Sequence, residues 1–430
     1  MKVRFIAPAD VVHEPGGKRR RSLFPPLNLG MLAALTPPDW EVEVVDESVQ
    51  PVDLDAPVDL VAITAITSVA PKAYQLADAF RARGARVVLG GIHASALPWE
   101  AAKHADAVVV GEAELSWPKV LADFKEGRLA KLYECPDRPP LEGLPVPRRD
   151  LFDRRSYLTV NLIQTTRGCP HSCSFCSVTR FFGRSYRTRP IPEILKEVES
   201  LEGETVLFVD DNIVGKPAYA KELFRALTPY RLKWIGQSSL TIARDEELLR
   251  LAARSGCIGL FIGFESLAPH NLQEIGKNHV NNAERFKEFI EKIHSYGIGI
   301  EGAFIFGFDQ DDRSVFERTV EFARKVKLAA AQFGILTPFP GTPLYEKLER
   351  AGRIIERDWS KYTISHVVFE PLQMTREALQ NGFNWAYHEF YSYRSILERL
   401  FLGFKKNLGF FFPLNMSFRQ IVARLPRGSV

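Results

Sequence analysis

Short, continuous apolar runs alternate with amphipathic segments over the first part of the chain. The runs are VRFIAP (3–8), EVEVVDE (41–47), DLVAITAI (59–66), ARVVLGG (85–91) and DAVVVGE (106–112). Continuous rather than alternating apolarity is typical of parallel strands that are buried on both faces. The segment APKAYQLADAFRARG has helical spacing and ends in a glycine suited to a helix C-terminus. The pattern predicts a doubly wound α/β sheet whose ligands bind at the carboxyl ends of the strands.

A second series of strand-like runs follows, with helical segments between them. The runs are YLTVNLIQTT, TVLFVDDN, LKWIGQSS, GLFIGFES, GIEGAFIFGFD and AAQFGILTPFPGTP. The helical segments are EILKEVES, KELFRALTPY, DEELLRLAARSG and NNAERFKEFIEKIHSYG. Together they predict six β/α units.

Composition shifts divide the chain into four predicted segments. Residues 133–155, YECPDRPPLEGLPVPRRDLFDRR, contain five prolines and little periodicity, which indicates a semi-rigid linker. Residues after the second series are rich in aromatic side chains and favour helices. We therefore predict a first domain at 1–130, a linker at 131–156, a second domain at 157–345 and a mostly helical extension at 346–430.

Charge and hydropathy narrow the functional classes. The 430 residues are 46% hydrophobic and 25% charged, which is typical of a globular chain of more than one domain. From Tyr391 onward, seven Lys and Arg oppose one acid, whereas the whole chain carries only +4, so the basicity is local and argues against a nucleic-acid surface. No apolar run approaches the roughly 18 residues of a membrane span, and MKVRFIAPADVV does not resemble a secretory signal. A cytoplasmic, reducing location is expected.

Three of the five cysteines lie within eight positions, in the stretch RGCPHSCSFC. An odd number of cysteines in a reducing location indicates metal or redox chemistry rather than a disulfide framework. Structural zinc needs four ligands and no second CxxC pair follows, although His171 is available as a fourth ligand. The three thiolates of Cys169, Cys173 and Cys176 suit a cubane iron–sulfur cluster in which one iron stays open. Cys135 in the linker and Cys257 at a strand start are interpreted as structural thiols.

The CxxxCxxC spacing, with Phe175 directly before the last cysteine, resembles the signature of radical S-adenosylmethionine (SAM) enzymes. The resemblance implies a 4Fe–4S cluster on the three cysteines, SAM chelated to the open iron, and a partial (β/α)6 TIM-type barrel. Polar residues at the predicted strand ends match the SAM-binding places of the family. The implied SAM-binding residues are Phe175, Asp210, Asp211, Gln237, Ser239 and Glu265.

Each of these residues has a structural alternative. One member of the Asp210–Asp211 pair is expected to have a structural role, for example as a helix N-cap. Glu265 follows an apolar strand, and a buried carboxylate requires a partner, so we expect a ligand or an arginine beside it.

The first domain resembles the cobalamin-binding domain that precedes many radical SAM enzymes. The matching motifs are PPLNLGMLAAL, VVDE, ITAIT, GGIHAS and GEAE, and there is no GxGxxG motif for a dinucleotide. The resemblance implies a Rossmann-like fold and cobalamin as a cofactor. The implied cobalamin-binding residues are Leu27, Asp46, Glu47, Thr64, Thr67, Ser68, Gly90, Gly91, His93, Gly111 and Glu112.

The histidine that replaces the lower cobalt ligand in some cobalamin domains is not clearly matched. The family motif is DxHxxG, whereas this chain has DVVHEPG from Asp10 to Gly16, with one extra residue before His13. His13 is either an axial ligand or a loop histidine, and His93 is interpreted as lining the pocket.

The combined resemblance, to class B radical SAM methylases, implies methylation of an unactivated carbon. In that family the cluster reduces SAM to a 5′-deoxyadenosyl radical, and methylcobalamin donates the methyl group to the substrate radical. A cyclisation, ring contraction or carbon–carbon coupling with the same cofactors is the alternative. A tRNA methylthiotransferase is disfavoured because a second cysteine triplet is missing, and a non-catalytic cobalamin protein is disfavoured by the intact triplet.

The C-terminal extension supplies the substrate and partner predictions. Six phenylalanines lie between residues 401 and 418, with basic residues among them. Such a segment caps the barrel, contacts a membrane interface or does both, and membrane contact would suit a lipid or isoprenoid substrate. The family resemblance also implies a one-electron donor such as flavodoxin or ferredoxin.

Overall fold

The computed structural model describes residues 1–10, 22–135 and 137–427, which form two compact units. The first unit contains the described residues of Met1–Leu162 together with Arg180–Gly183 and Asp358–Ser360. The second contains Ile163–Thr179, Arg184–Arg357 and the described residues from Lys361 onward.

The secondary structure follows the predicted alternation of strands and helices. The strands are β1 Lys2–Ala7, β2 Glu41–Asp46, β3 Leu60–Thr64, β4 Arg86–Gly90, β5 Ala107–Val110, β6 Leu132–Glu134, β7 Leu162–Ile163, β8 Thr166–Arg167, β9 Arg187–Thr188, β10 Thr205–Phe208, β11 Lys233–Ser238, β12 Cys257–Glu265, β13 Gly299–Phe306 and β14 Ala330–Ile335. The helices are α1 Leu27–Ala34, α2 Ala70–Ala82, α3 Ile92–Ala96, α4 Pro98–Ala101, α5 Ser116–Lys125, α6 Ser177–Phe182, α7 Ile191–Glu199, α8 Pro217–Leu227, α9 Glu246–Arg254, α10 Pro269–Glu274, α11 Phe286–Ser295, α12 Ser314–Lys325, α13 Pro343–Arg350, α14 Arg376–Phe390, α15 Tyr393–Leu400 and α16 Leu408–Val422.

The first unit is built on a parallel sheet with strand order β2-β1-β3-β4-β5-β6. Alternate residues of its central strands enter two separate hydrophobic clusters, with Phe5 in one and Ile6 in the other. Both faces of the sheet are therefore covered, as the continuous apolar runs predict. The strand order reverses at β1, which makes the carboxyl ends of β1 and β3 the expected place for a ligand.

The beginning of the predicted linker is a strand rather than a coil. Residues Leu132–Glu134 form β6, the edge strand beside β5. Its central residue, Tyr133, is buried and donates a hydrogen bond to Asp123 at 2.9 Å. The segment escaped prediction because three residues with one buried side chain are too few to show a hydrophobic pattern.

The second unit carries a six-stranded sheet with the order β14-β13-β12-β11-β10-β7, and its register pairs from β10 to β14 are parallel. Phe264, Phe304 and Phe333 stack on one face, under helices α11 and α12. The alternate residues face inward and are partly exposed. The predicted fold class, a doubly wound sheet followed by a partial (β/α)6 barrel and a helical extension, is confirmed.

The extension packs against the second sheet. Tyr387 of α14 and Tyr391, the residue directly after this helix, hydrogen-bond to the backbone of the edge strand β14. Phe411 of α16 lies against Gly259 and Gly299 at the amino ends of β12 and β13. Among the described residues, none of the helices is both long and apolar enough to cross a bilayer.

Candidate functional site

The three clustered cysteines lie on a loop between β8 and α6, and all three are partly exposed free thiols. Burial raises the pKa of Cys173 to about 11 and that of Cys176 to about 12, and the charge of Cys169 raises both pKa values further. The thiols therefore share one environment that resists a bare thiolate. A bound metal centre supplies the positive charge that keeps such thiols deprotonated.

The arrangement suits a cluster better than a single ion. In the described part of the chain, no three His, Cys, Asp or Glu side chains are positioned to hold one metal ion. His171 lies beside His279, with Nδ1 and Nε2 3.3 Å apart. A cubane cluster places each thiolate on a different iron, so its ligands do not converge on one point. The donor set thus fits the 4Fe–4S cluster and gives no support to the zinc alternative.

Asp210 and Asp211, which follow β10, hold the backbone that leads into the cysteine loop. Oδ1 of Asp210 accepts hydrogen bonds from the backbone N–H of Thr165 at 3.0 Å and from the hydroxyls of Thr165 and Thr166 at 2.9 and 2.6 Å. Asp211 accepts the Gly168 N–H at 3.2 Å. Burial raises the pKa of Asp210 to about 6. Asp210 therefore has a structural role. SAM binding by Asp210 and Asp211 stays a prediction.

Two orphan polar atoms lie next to these contacts. Oδ2 of Asp210 and Nδ2 of Asn212 are buried, and neither has a nitrogen or oxygen partner in the part of the chain that the structure describes. The Asn212 side chain also lies beside the Cys169 thiol and acts to lower its pKa. The Asn212 Oδ1 accepts the Ser239 N–H at 3.0 Å, which orients the amide. Buried polar atoms normally have partners. An acceptor and a donor left over beside the cysteine loop fit a polar ligand such as SAM, and Asn212 is a candidate that the sequence analysis missed.

Glu265 ends β12 in a left-handed conformation, with φ of 65°, and is buried. Its partner is Lys277, whose Nζ lies 2.5 Å from Oε1 and also donates to the Gly263 carbonyl at 3.0 Å. The expected partner was a ligand or an arginine; the structure places a lysine there instead. The sequence contained a signal for it, because Lys277 is the first lysine or arginine after Glu265.

Lys277 also connects this ion pair to the cysteine loop. Burial alone would lower its pKa, but the charges of Glu265, Cys173 and Cys176 hold the pKa above its usual value. The lysine therefore remains a cation beside the thiols. A cation at this place favours the thiolate form that cluster assembly requires.

The remaining predicted SAM residues occupy different surroundings. Phe175 is partly buried against the core of the second unit. Ser239 is buried and its hydroxyl lies 2.6 Å from that of Thr241. Gln237 is exposed although it lies in the central strand β11, so its side chain faces the open inner side of the sheet. Their roles toward SAM stay predictions.

In the first unit, the predicted cobalamin residues gather at the carboxyl ends of β2 to β5. Two acids there already have protein partners. Asp46 accepts hydrogen bonds from the Ser48 N–H at 2.9 Å and the Tyr157 hydroxyl at 3.0 Å. Glu47 accepts the Ala9 N–H at 3.0 Å and pairs with Lys72 at 3.1 Å. These contacts fix the positions of both carboxylates at the carboxyl end of β2.

His93 lies inside a hydrogen-bond network and not on the surface of the unit. It is fully buried, and its Nε2 is 3.2 Å from Glu100 Oε1. The same oxygen accepts from the Tyr74 hydroxyl and the Trp359 indole N–H, each at 3.0 Å. Burial of Tyr74, together with its proximity to this partly exposed carboxylate, raises the pKa of Tyr74 well above its usual range. Lining of the pocket by His93 stays a prediction.

Glycines leave the strand ends open. Gly91 has φ of 95°, and an added Cβ would lie 2.8 Å from the Ala65 backbone, so β3 and β4 approach closely there. Gly111 has φ of 82° and nothing within 4 Å of an added Cβ. Ile66 is 59% exposed in the loop after β3. An open, partly apolar edge of this kind fits a large planar cofactor such as cobalamin.

The other predicted positions line the same edge. Thr64 Oγ1 accepts from Asn28 Nδ2 at 3.1 Å, and Glu112 is buried with Arg138 3.6 Å away. The positions Leu27, Thr67, Ser68 and Gly90 lie at the start of α1, in the turn after β3 and at the end of β4. His13 lies outside the described residues.

Comparison with protein families gives matches in each part of the chain. The radical SAM superfamily matches residues 163–323, the B12 binding domain matches residues 17–121, and a domain of unknown function, DUF4070, matches residues 342–408.

Curated relatives match over most of the chain. Bacteriochlorophyllide d C-12(1)-methyltransferase of Chlorobaculum tepidum is 34% identical, over 87% of this chain and 84% of its own. Hopanoid C-2 methylase of Rhodopseudomonas palustris is 27% identical, over 78% of this chain and 66% of its own. Anaerobic magnesium-protoporphyrin IX monomethyl ester cyclase of Cereibacter sphaeroides is 27% identical, over 79% of this chain and 61% of its own.

A solved structure shares the fold. The radical SAM methyltransferase TsrM from Kitasatospora setae, with cobalamin and a [4Fe-4S] cluster bound, superposes with a TM-score of 0.65 at 20% identity, over 90% of this chain and 85% of its own. The cofactors of the enzyme are accordingly a 4Fe–4S cluster, SAM and cobalamin. The thiol triplet, the open strand ends and the extended similarity to a methyltransferase lead to one conclusion: this chain belongs to the family of cobalamin-dependent radical SAM methyltransferases.

Proposed function

We propose that the protein methylates an unactivated carbon of a small hydrophobic or lipid-like metabolite. The observation that carries the proposal is the similarity to the bacteriochlorophyllide methyltransferase along nearly the whole chain, at 34% identity. The described residues contribute a thiol triplet, buried orphan polar atoms beside it and an open edge on the first sheet. These are the parts that such a reaction requires.

The bound cofactors supply the electron, the radical and the methyl group, while the protein holds and orients them. Cys169, Cys173 and Cys176 hold the cluster. Lys277 keeps a positive charge beside these thiols, and Asp210 and Asp211 hold the backbone before the loop.

The proposed substrate class rests on two kinds of support. The named substrates of two relatives, a bacteriochlorophyllide and a hopanoid, are predominantly apolar metabolites. The inner face of the second sheet carries Phe261 and Ile305 in partly exposed positions. An apolar inner face favours an apolar substrate.

A radical reaction without methyl transfer is the second candidate. One relative is a cyclase, and it matches 79% of this chain at 27% identity. The same set of cofactors serves both reactions, so the products distinguish them.

The partners and location follow the same proposal. We infer a cytoplasmic enzyme that receives electrons one at a time from a flavodoxin or ferredoxin and has no nucleic-acid partner. Exposed apolar and basic side chains after residue 396 support contact with a membrane surface, from which a lipid-like substrate would be taken.

The test measures both SAM-derived products in one reaction. Protein reconstituted without oxygen receives hydroxocobalamin, SAM, reductant and a lipid extract, and 5′-deoxyadenosine and S-adenosylhomocysteine are followed together. Cys173→Ala is the inactive variant, and Cys257→Ala, which changes a buried cysteine outside the loop, is the matched control.

Equal, extract-dependent amounts of the two products, lost only in Cys173→Ala, support methylation. Formation of 5′-deoxyadenosine alone would select the cyclase-type reaction. The appearance of neither product with any extract fraction would contradict a radical reaction on a lipid-soluble molecule.

A further inference from the structure

A row of side chains crosses the inner face of the second sheet. The strand register aligns Gln237 of β11 with Phe261 of β12, Phe261 with Glu301 of β13, and Glu301 with Ala330 of β14. Residues paired in register on neighbouring strands point to the same face. Their neighbours on β13, Phe304 and Phe306, belong to the core on the helix-covered face, so this row points inward.

The row is flanked mainly by small residues. The next aligned positions toward the carboxyl ends are Gly263, Ala303 and Gln332, and the next toward the amino ends are Gly259 and Gly299. Rows of one face are separated by two residues, or roughly 7 Å along a strand. The Glu265–Lys277 pair occupies the space at Gly263, where an added Cβ would lie 2.9 Å from Lys277 Nζ. Ala303 and Gln332 are partly exposed, so the open part of the inner face above Glu301 lies on β13 and β14.

The lower end of this space is closed by the C-terminal extension. The Phe411 ring lies against Gly299, and a Cβ added at Gly259 would be 2.9 Å from it. Asn407, just before α16, anchors the helix by donating to the Ile258 and Gly297 carbonyls at 3.2 and 3.1 Å. We use the term inner pocket for the region bounded by the inner face of the sheet, this aromatic floor and the Glu265–Lys277 pair at the end of β12.

Glu301 is the acid of this pocket. It is only partly buried by its neighbours, and it makes no hydrogen bond or ion pair with any other residue that the structure describes. The side chains of Gln237 and Gln332 are likewise without hydrogen bonds among the described residues. An unpaired carboxylate in an apolar surrounding is unfavourable unless a ligand provides a donor.

We propose that the inner pocket binds the substrate with a hydrogen-bond-donating end, a hydroxyl or an ammonium group, on Glu301. Gln237 and Gln332 complete the polar part of the pocket, and Phe261 and Phe411 contact the apolar body. The polar end lies about four residues, or roughly 13 Å, below Glu265 along β12. The opposite end of the substrate therefore lies toward the cysteine loop.

Burial raises the pKa of Glu301 to about 7, and no cation in the described part of the chain offsets this effect. A perturbed carboxyl group in a concave place that is mostly apolar is typical of a binding site. The inference rests on the proposed function in one respect only, because it identifies the ligand of the pocket with the methyl acceptor.

The experiment uses binding without turnover, so that it is independent of the reaction. Fluorescence titration measures the affinity of the reconstituted protein for naphthylmethanol, naphthylmethylamine and naphthoate, which share one apolar body and differ in the end group. Glu301→Gln and Glu301→Leu are compared with Glu222→Gln, an exposed acid on α8.

We expect the alcohol and the amine to bind at least ten times more tightly than naphthoate. Glu301→Leu should remove this preference, Glu301→Gln should reduce it for the amine, and Glu222→Gln should leave it unchanged. Equal affinity for the three end groups, or a preference that survives Glu301→Leu, would overturn the proposal.

A second measurement needs no variant. A water-soluble carbodiimide modifies accessible carboxyl groups, and peptide mass spectrometry reads the modification at Glu301. Bound naphthylmethanol should protect Glu301 at least several-fold and leave Glu222 unprotected; absence of protection would overturn the proposal. If the end-group preference holds while the lipid extract yields no S-adenosylhomocysteine, the proposed methylation fails and the pocket assignment stands.

Discussion

At the scale of single residues, Lys277 and Glu265 depend on each other. They form a buried ion pair at 2.5 Å at the end of β12. Removing one member of a buried pair leaves an uncompensated charge, which typically costs about 3–5 kcal/mol. We predict that Lys277→Met lowers the free energy of unfolding by about this amount, as measured by urea denaturation of the reconstituted protein.

The double variant Lys277→Met/Glu265→Gln is the control for this prediction. It removes both charges and should recover a large part of the lost stability, while Lys277→Arg should lose the least. A double variant as unstable as the sum of the two single variants would show that the pair does not interact. In every variant without a cation here, the iron content after reconstitution should fall.

Glu301 is expected to make the folded protein less stable as the pH rises. Its pKa is about 7 in the folded protein and 4.5 without perturbation, because burial disfavours the carboxylate. Between these values the folded state binds more protons than the unfolded state, so stability falls as the pH rises, by at most about 1.4 kcal/mol per pH unit. The contribution of Glu301 to the free energy of unfolding is fully present below about pH 4.5 and decreases as the pH rises to about 7.

Glu301→Gln should remove this part of the slope. Urea unfolding at about pH 5 and about pH 8 measures it, and the variant should gain stability relative to the native protein at the higher pH. Asp210 and Asp311 have pKa values raised to about 6 and act with the same sign, so the comparison between the two proteins is the informative quantity. Tyr387 and Tyr391, which interact with the Glu301 charge, have raised pKa values and stay neutral in this range. If the free energy of unfolding changed with pH equally in the native protein and in Glu301→Gln, the raised pKa of Glu301 would be contradicted.

At the scale of elements, helix α14 closes the exposed edge of β14. The Tyr387 hydroxyl donates to the Phe333 carbonyl at 2.9 Å and accepts the Phe333 N–H at 3.2 Å. Tyr391 does the same at Ala331, at 2.6 and 3.1 Å. Four residues of helix rise about 6 Å and two residues of strand about 6.6 Å, so the tyrosines match alternate strand residues.

Tyr391→Phe should therefore leave a buried carbonyl and a buried N–H without partners. We expect a loss of about 1–3 kcal/mol in the free energy of unfolding and faster hydrogen exchange of the Ala331 amide. Tyr393→Phe, a change at a tyrosine that is 60% exposed, is the matched control. Unchanged exchange at Ala331 would show that the hydroxyl does not protect the edge.

At the scale of the whole molecule, the C-terminal extension divides its aromatic residues between two environments. Phe404 and Phe411 are buried, as a cap requires, whereas Phe401, Leu402 and Phe412 are 40%, 73% and 39% exposed. The described residues after Glu398 include no acid. The extension thus caps the sheet with one side and presents an apolar, basic side to solvent.

We predict that this second side binds anionic membranes. The reconstituted protein should cosediment with vesicles of phosphatidylcholine and phosphatidylglycerol more than with phosphatidylcholine alone, and salt should weaken the binding. Phe401→Ser/Leu402→Ser should reduce binding several-fold, whereas Leu372→Ser, at a leucine that is 58% exposed elsewhere, should not. Binding that is insensitive to lipid charge and to the double change would contradict this prediction.

The sequence by itself determined the features that depend on neighbours along the chain. Continuous apolar runs located β1 to β5 and the strands of the second sheet, and the spacing of Cys169, Cys173 and Cys176 specified the cluster chemistry. Both features depend only on residues that are close in sequence. A buried strand is a run of consecutive apolar residues, and the three cluster ligands lie on one loop.

Only the tertiary structure decided which distant residues meet. It paired Glu265 with Lys277, placed Tyr387 and Tyr391 on the edge of β14, and recruited Leu132–Glu134 as a sixth strand. It also turned Glu301 inward, because the register of β12, β13 and β14 assigns each residue to one face. Register and long-range pairing result from the packing of whole elements, which local patterns do not encode, and a shift of one residue would exchange the two faces.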